Sequence, residues 1–169
     1  MDKNFSKDKV AVITGGAKKI GRSTAKKLAD QGFNILIHTG GKSINEAKKT
    51  VEIVKEYSVK SDVVDGDLED LKTINKIKDA AQKLGTPSIL INNAGLRIFD
   101  DFEKIKYEDW KRVMTVNVDA SFLCTQALIG FMVKQGWGRV INIGVLSAHI
   151  GAKERAHVVT SKAALVGLT

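Results

Sequence analysis

The segment Thr14-Gly15-Gly16-Ala17-Lys18-Lys19-Ile20-Gly21 joins an apolar run, residues 10–13, to residues 21–31, which have helical periodicity. Glycines permit a tight turn and let the backbone approach a pyrophosphate, and the helix N-terminus beyond them offers free N–H groups and a positive dipole end. A glycine-rich turn between a strand and a helix is typical of a dinucleotide-binding site. Taken alone, the glycines also fit an ordinary strand-to-helix turn.

Short β-branched runs alternate with longer helical patterns along the rest of the chain. The predicted strands cover residues 10–13, 33–38, 59–64, 89–91 and 140–143. The predicted helices cover residues 21–31, the segment around 47–54, and residues 71–84, 107–134 and 161–169. This alternation predicts an α/β fold, a doubly wound parallel sheet with helices on both faces (the Rossmann fold). We expect one domain over residues 1–169, incomplete at its C-terminal end because no stop signal follows the last helix.

Two helical stripes define the expected core in more detail. In the first helix Ala25, Leu28 and Ala29 are predicted to face inward. In the third helix the predicted inward stripe consists of Leu71, Ile74, Ile77, Ala81 and Leu84.

Composition narrows the classes of function. The net charge is +8, but the lysines are scattered over predicted helical faces without a base-reading motif, so no nucleic-acid partner is expected. The N-terminus has no apolar signal region and no apolar run looks long enough for a bilayer, which predicts no membrane association. Cys124 is the single cysteine, so no internal disulfide forms and a cytoplasmic location is predicted. Its neighbours Phe122 and Ile129 look like core residues.

Four further segments support the nucleotide-binding interpretation: Asp67-Leu68, Asn92-Asn93-Ala94-Gly95, Ile141-Asn142-Ile143-Gly144-Val145 and Val158-Val159-Thr160-Ser161-Lys162. With the glycine turn they resemble the short-chain dehydrogenase/reductase family, whose glycine motif reads T-G-x-x-x-G-x-G. The resemblance covers the chain from Lys9 onward. Lys19 stands where the motif has its middle glycine, so we expect the backbone there to suit a residue with a side chain. That lysine is also expected to reach a phosphate.

The resemblance implies a nicotinamide dinucleotide as cofactor and no metal. The residues it implies at the cofactor site are Thr14, Gly15, Lys18, Lys19, Ile20, Gly21, Thr39, Lys42, Ser43, Asp67, Leu68, Asn93, Ala94, Gly95 and Lys162. NAD-specific sites carry an acidic residue at the end of the second strand, where this chain has Thr39. With Lys18, Lys19, Lys42 and Ser43 available for a 2′-phosphate, NADP(H) is favoured over NAD(H). The alternative is that these lysines are ordinary surface residues.

The same resemblance implies hydride transfer between the nicotinamide and a small carbonyl or alcohol. Asn117 and Lys162 match the family's catalytic asparagine and lysine, but Val145 and Val158 stand where its serine and tyrosine would be. Valine neither donates nor accepts a proton, and losing a positioned general acid typically costs about 10²–10⁴ in rate. We therefore expect impaired catalysis.

Three polar residues near the two valines are candidates to replace the missing groups: Ser147, His157 and Thr160. Ser147 would point the same way as Val145 if strand alternation continued. His157 and Thr160 are predicted to be surface or helix-start residues rather than catalytic ones.

Three interpretations remain open at this point. The chain is an impaired NADP(H)-dependent oxidoreductase, a non-catalytic nucleotide-binding pseudoenzyme or partner subunit, or an aberrant gene product without a function of its own. By resemblance, the long helix and the last helix would form a homo-oligomer interface if the last helix is complete.

Overall fold

The computed structural model describes residues 3–169, with side chains from Phe5 onward, so the predicted domain start at Met1 lies outside the described residues. Five parallel strands form one sheet in the order β3-β2-β1-β4-β5. The strands are β1 (Lys9–Ile13), β2 (Asn34–Thr39), β3 (Ser61–Asp65), β4 (Thr86–Asn92) and β5 (Arg139–Asn142). This order, with β1 at the centre, is that of a doubly wound sheet and confirms the predicted fold class.

Eight α-helices connect or flank the strands within the described residues. They are α1 (Lys3–Ser6), α2 (Lys19–Asp30), α3 (Ile44–Lys55), α4 (Leu71–Leu84), α5 (Tyr107–Met114), α6 (Ala120–Lys134), α7 (Ser147–Ile150) and α8 (Ala156–Leu168). Short 3-10 turns occupy Gly41–Ser43 and Phe102–Lys104, and a π-helical turn, Thr115–Asp119, separates α5 from α6.

The alternation of β1 divides the core into two layers. Val10 and Val12 pack with α4 and α6 on one face of the sheet, whereas Ala11 and Ile13 pack with α2 and α3 on the other. Successive side chains of a strand point to opposite faces, so a strand covered on both faces must be apolar throughout. The helices of the two layers bring their N-terminal ends to the carboxyl edge of the sheet.

Several predicted boundaries and exposures were wrong. α2 begins at Lys19 instead of residue 21, and α8 begins at Ala156 instead of residue 161. β4 begins at Thr86 and includes Pro87, and its pairing with β1 shifts register there because proline has no N–H to donate. Leu71 is 61% exposed because it opens α4 before the helix packs on the sheet.

The long helix departs from prediction in two ways. Residues 107–134 are helical throughout, but the π-helical turn interrupts the α-helical hydrogen bonding. The segment Tyr107–Lys134 has 28 residues and a mean hydropathy of 1.4 over its most apolar window, so the expectation that no segment could span a bilayer is wrong by length and composition. Part of its apolar surface belongs to the core, since Cys124, Leu128 and Met132 are buried in the layer formed with α4.

The lone cysteine lies inside that layer, as predicted. Cys124 is buried, and burial raises the pKa of its thiol to about 12 because the thiolate would lose its hydration. The exposed faces of Phe122 and Ile129 contradict the expectation that these neighbours belong to the core. They lie on the side of α6 that faces away from the sheet.

Candidate nucleotide-binding and catalytic site

The turn after β1 has the geometry that a dinucleotide-binding loop needs. Gly15 has φ +62°, and a Cβ there would lie 2.9 Å from the Ala94 Cα. At Gly21 a Cβ would lie 2.5 Å from the Gly15 carbonyl oxygen. Both contacts are shorter than real Cβ contacts, so only glycine fits at these two positions and the helix can follow the strand this closely.

Lys19 corrects the expectation about the altered motif. Its φ is +50°, so the backbone keeps the left-handed conformation that glycine adopts freely and a side-chain-bearing residue adopts at a cost. The backbone has therefore not adapted to the lysine. Lys18 beside it is extended, with φ −154°. Lys18 lines the cavity described below, whereas Lys19 and Ile20 are exposed outside its lining, which does not support the expected phosphate contact by Lys19.

Thr14 and Asn93 fasten the loop after β1 to the loop after β4. The Thr14 Oγ1 accepts hydrogen bonds from the backbone N–H groups of Asn93 and Ala94, each at 3.0 Å. The Asn93 Nδ2 donates to the carbonyl oxygens of Thr14 and Gly15, at 3.0 and 2.9 Å. Thr14 and Asn93 therefore hold the two loops together from outside the cavity, and neither they nor Gly21 line it.

A cavity of about 580 Å³ opens at the carboxyl ends of the first four strands. Its volume falls within the roughly 300–1,000 Å³ typical of small-molecule sites, and its position is where doubly wound sheets bind ligands. The predicted residues that line it are Gly15, Lys18, Thr39, Lys42, Ser43, Asp67, Leu68, Ala94 and Gly95. The cavity thus brings together most of the residues that the sequence assigned to the cofactor.

Sequence reasoning missed several residues of the cavity wall, including His38, Arg112 and Val116. Arg112 and Val116 are four residues apart on the long helix, so one helical face supplies both. The sequence signal available was only that the predicted helix over residues 107–134 carries both of them together with Asn117. The Nε of Arg112 donates to the Glu69 carboxylate at 2.9 Å, which steadies the guanidinium at the cavity edge.

His38 is the buried titratable group of this wall. Its Nε2 lies 3.0 Å from the Gly66 carbonyl oxygen, which fixes the proton on that nitrogen, and its Nδ1 is buried without a partner among the described residues. Burial lowers the pKa of the imidazole, and the contact with Gly66 and the carboxylates of Asp65 and Asp67 oppose this only in part. The ring is therefore neutral at pH 7.

Asn117 lies in the π-helical turn and is fully buried. Its Oδ1 accepts from the Leu96 N–H at 2.7 Å, and its Nδ2 donates to the Leu96 carbonyl at 3.1 Å and to the Ser161 Oγ at 2.8 Å. Both amide hydrogens are thus used within the protein. The side chain clamps the loop after β4 to α8.

Lys162 reaches the same place from α8. Its Nζ donates to the Ile143 carbonyl at 2.7 Å, and partial burial lowers the pKa of the ammonium. A Cβ on Gly95 would lie 3.4 Å from the Asn117 Oδ1 and 3.5 Å from the Lys162 Nζ. The structure therefore brings these two predicted catalytic residues to one edge of the cavity, next to Gly95.

The two valines differ in their surroundings. Val145 follows β5 and is 40% exposed, whereas Val158 lies in the first turn of α8 and is 6% exposed. Val158 and Lys162 are one helical turn apart, as the sequence predicted.

Ser147, His157 and Thr160, the polar residues considered as replacements, differ in their positions in the structure. β5 ends at Asn142 and Ser147 begins α7, so strand alternation does not carry Ser147 to the side of Val145. His157 lies in the first turn of α8, which agrees with the predicted helix start, but it is fully buried instead of lying at the surface, and both ring nitrogens lack partners among the described residues. Thr160 is exposed, as expected.

Residues 9–169 match the sequence model of the family described as short chain dehydrogenase. This chain belongs to that family. It is 37% identical over 163 residues to L-rhamnose 1-dehydrogenase (NADP(+)) of Thermoplasma acidophilum, covering 95% of this chain and 64% of that protein. It is 35% identical over 162 residues to 3-oxoacyl-[acyl-carrier-protein] reductase FabG of Aquifex aeolicus, covering 95% of this chain and 65% of the reductase.

Solved structures of the family superpose on the fold. Acetoin dehydrogenase YohF from Salmonella typhimurium matches with a TM-score of 0.91 at 33% identity, over 96% of this chain and 64% of that one. NAD⁺-bound xylitol dehydrogenase matches with a TM-score of 0.87 at 28% identity, over 96% and 62%. The chain thus spans somewhat less than two thirds of the length of these relatives.

Proposed function

We propose that this chain binds NADP(H) in preference to NAD(H) at the cavity described above, and that its capacity for hydride transfer is impaired. The carrying observation is the composition of the cavity wall around the end of β2. Thr39 occupies the position of the acidic residue of NAD sites, and Lys18, Lys42 and Ser43 line the same cavity. A 2′-phosphate there meets two ammonium groups and a hydroxyl.

The remaining wall fits the rest of a dinucleotide. The loop from Gly15 to Gly21 brings backbone N–H groups and the N-terminus of α2 to the position of a pyrophosphate. Asp67 and Leu68 flank the adenine by resemblance, and Ala94 and Gly95 line the side of the nicotinamide. The Lys162 ammonium has three protons, and only one is used on the Ile143 carbonyl, so two remain for a ribose.

When bound, the nicotinamide would supply or accept the hydride of a carbonyl–alcohol conversion. The chain's own residues must then hold the substrate oxygen and move its proton, and Val145 and Val158 do neither. Asn117 cannot replace them because its amide is committed to Leu96 and Ser161. The missing general acid alone accounts for about 10²–10⁴ in rate.

Thermal unfolding with each nucleotide tests the binding proposal. A ligand at 100 times its Kd stabilises the native state by about 2.7 kcal/mol, which raises the Tm of a domain of this size by roughly 5–10 °C. We expect NADPH to raise the Tm more than NADH at equal concentration. Equal shifts, or a larger shift with NADH, would reject the preference.

A pair of lysine variants locates the phosphate contact. In Lys42→Gln the NADPH shift should fall towards the NADH shift, and the NADH shift should not change. Lys48→Gln is the matched control, because Lys48 is exposed on α3 and lies outside the cavity lining. If the Tm shift of Lys42→Gln with NADPH still exceeds the shift with NADH as much as in the unmodified chain, a group other than Lys42 contacts the 2′-phosphate.

Restoring the missing side chains tests the proposed impairment. Val145→Ser with Val158→Tyr, in a chain joined to the C-terminal third of a relative, should reduce activated carbonyls with NADPH. The same fusion with both valines kept is the control, and we expect it to be slower by at least the factor of a lost general acid, about 10². Equal rates in the two fusions would contradict the assigned positions.

The second candidate function is that of a non-catalytic partner subunit, working in the cytoplasm with another copy or with an active homologue. The observation that favours it is the exposure of apolar side chains on α6 and on α8: Val133 is 75% exposed, and Ile129 and Val166 are also exposed. Apolar surface of this kind marks interaction sites. Sedimentation analysis of the pure chain, and co-purification with a tagged full-length homologue, test this function. A chain that stays monomeric and solitary in both would rule it out.

A further inference from the structure

Two loop segments outside the cavity lining, residues 97–101 and 151–155, meet near the predicted catalytic positions. The loop after β4 is joined to the loop before α8 by the Asp100 N–H, which donates to the Glu154 carbonyl at 2.7 Å. Glu154 has φ +59°, a conformation that a side-chain-bearing residue keeps only where its surroundings enforce it. The loop contact thus fixes the backbone immediately before Arg155.

The Phe99 ring is in contact with two arginines of these loops. The Cζ of Arg97 is 5.1 Å from the centre of its ring, and the Cζ of Arg155 is 5.0 Å away. Each distance is within the range of a cation–π contact. Two positive groups therefore share one ring that is itself half exposed.

The charge of this pair is not neutralised within the protein. Among residues 3–169 neither guanidinium forms an ion pair, and the Nε of Arg155 is buried without a hydrogen-bond partner. The Asp101 carboxylate, on the same loop, is paired with Lys104 instead. Cationic groups without a partner are unfavourable where they are partly removed from water, and an anion that contacts both guanidinium groups beside the ring would offset their charge.

The pair is tied to the catalytic positions by short hydrogen-bonded connections. Arg97 directly follows Leu96, whose N–H and carbonyl are both held by Asn117. Arg155 precedes the first turn of α8, and its carbonyl accepts from the Val159 N–H at 2.9 Å. Val158, at the position of the missing tyrosine, therefore lies in the turn that Arg155 caps.

We propose that Arg97 and Arg155 bind the anionic group, a carboxylate or a phosphate, of a small carbonyl or alcohol substrate whose reacting carbon lies beside position 158. This inference rests on the proposed function, since it names the substrate class for that site. The planar guanidinium suits either anion because its N–H groups match two oxygens at once. Contact with the Phe99 ring positions the two guanidinium groups before the substrate binds.

Calorimetric titration with matched charged and neutral compounds tests the proposal. The probes are acetoacetate against acetoacetamide, and dihydroxyacetone phosphate against dihydroxyacetone, at constant ionic strength and with saturating NADPH to block the nucleotide cavity. At least one charged probe should bind at least tenfold more tightly than its neutral partner. The carboxylate and phosphate pairs distinguish the two sources of the anion. Equal binding of charged and neutral probes, or no binding of any probe, would overturn the proposal.

Variants assign the binding to these arginines. Arg97→Gln and Arg155→Gln should each weaken the charged probe at least tenfold, and Arg155→Lys should weaken it less. Lys153→Gln, which removes an exposed charge from the same loop, is the control and should bind as the unmodified chain does. Arg97 is exposed, so its variant decides the matter if the Arg155 variants fail to fold. Unchanged binding in Arg97→Gln would refute the assignment.

NADPH binding is measured separately in every variant. Normal NADPH binding without selective anion binding rejects the arginine site and leaves the proposed nucleotide function standing. Absence of NADPH binding rejects that function, and the same titrations on the free chain, with sodium chloride as competitor, then decide the arginine site alone.

Discussion

Replacing Lys19 with glycine should stabilise the fold, and replacing its neighbour Lys18 should not. Lys19 has φ +50°, and a left-handed backbone costs a side-chain-bearing residue about 1–2 kcal/mol. Glycine removes that cost but loses about 0.5–1 kcal/mol of additional chain entropy on folding. The net expectation for Lys19→Gly is a gain of about 0.5–1 kcal/mol in the free energy of unfolding.

Lys18→Gly is the matched control because it removes the same charge one residue away. Lys18 is extended, with φ −154° and ψ 174°, so glycine relieves no strain there and brings only its entropic cost. We expect a loss of about 0.5–1 kcal/mol. The two variants should therefore differ by about 1–2 kcal/mol, with the general effect of the lost positive charge cancelling between them.

Urea unfolding followed by circular dichroism measures both free energies by linear extrapolation. A Lys19→Gly chain that is less stable than the unmodified one, or no more stable than Lys18→Gly, would refute the strain argument. The same proteins check the cavity assignment. NADPH should bind more weakly to Lys18→Gly, since Lys18 lines the cavity, and should bind undiminished to Lys19→Gly, since Lys19 does not.

Three further predictions concern buried groups. Burial lowers the folded-state pKa of His38 below its unfolded value of 6.5, so the unfolded chain binds more protons as the pH falls. The free energy of unfolding should therefore be highest above pH 6.5 and decrease as the pH drops below that value. His38→Asn should weaken this pH dependence, which urea unfolding at a series of pH values measures. The Cys124 thiol, with its pKa raised to about 12, should resist alkylation by iodoacetamide at pH 8 in the native state and react once urea unfolds the chain, and rapid native-state labelling would contradict its burial. His157→Leu should raise the free energy of unfolding by about 1–3 kcal/mol, because it removes two buried ring nitrogens without partners, and a destabilised variant would reveal a partner for the ring.

The layers of this fold could be predicted because the relevant signals are local. Residues 10–13 are apolar without interruption, and a strand covered by helices on both faces requires such a run. The close approach of Gly15 to Ala94 requires a glycine, and the sequence shows that glycine in a turn between a predicted strand and a predicted helix. The order of the segments then places the nucleotide cavity at the carboxyl edge.

The catalytic end could not be predicted as well because its positions depend on contacts between distant segments. The alternation argument for Ser147 failed where the chain left the sheet at Asn142, and no local pattern marks that exit. His157 was expected at the surface or at a helix start, and it does lie at the start of α8, yet packing of α8 against the long helix buries it completely. At Lys19 the departure from the glycine motif is plain in the sequence. Only the backbone angle shows that the residue keeps the left-handed conformation that glycine would have.

The hydrogen bonds of Asn117 and Lys162 give both residues a structural role that is independent of catalysis. Asn117 holds Leu96 and Ser161, and Lys162 holds the Ile143 carbonyl, so both residues connect α8 to the loops after β4 and β5 without a contribution from positions 145 and 158. Losing Asn117 would leave buried backbone groups of Leu96 unpaired, at a cost of about 1–3 kcal/mol each. Replacing Val145 or Val158 carries no such penalty, because neither side chain makes a polar contact. Stability alone therefore accounts for Asn117 and Lys162, the predicted catalytic asparagine and lysine, so their presence is not evidence of turnover. The proposed impairment therefore depends on positions 145 and 158, where a polar side chain would serve the predicted chemistry and is not needed for these hydrogen bonds.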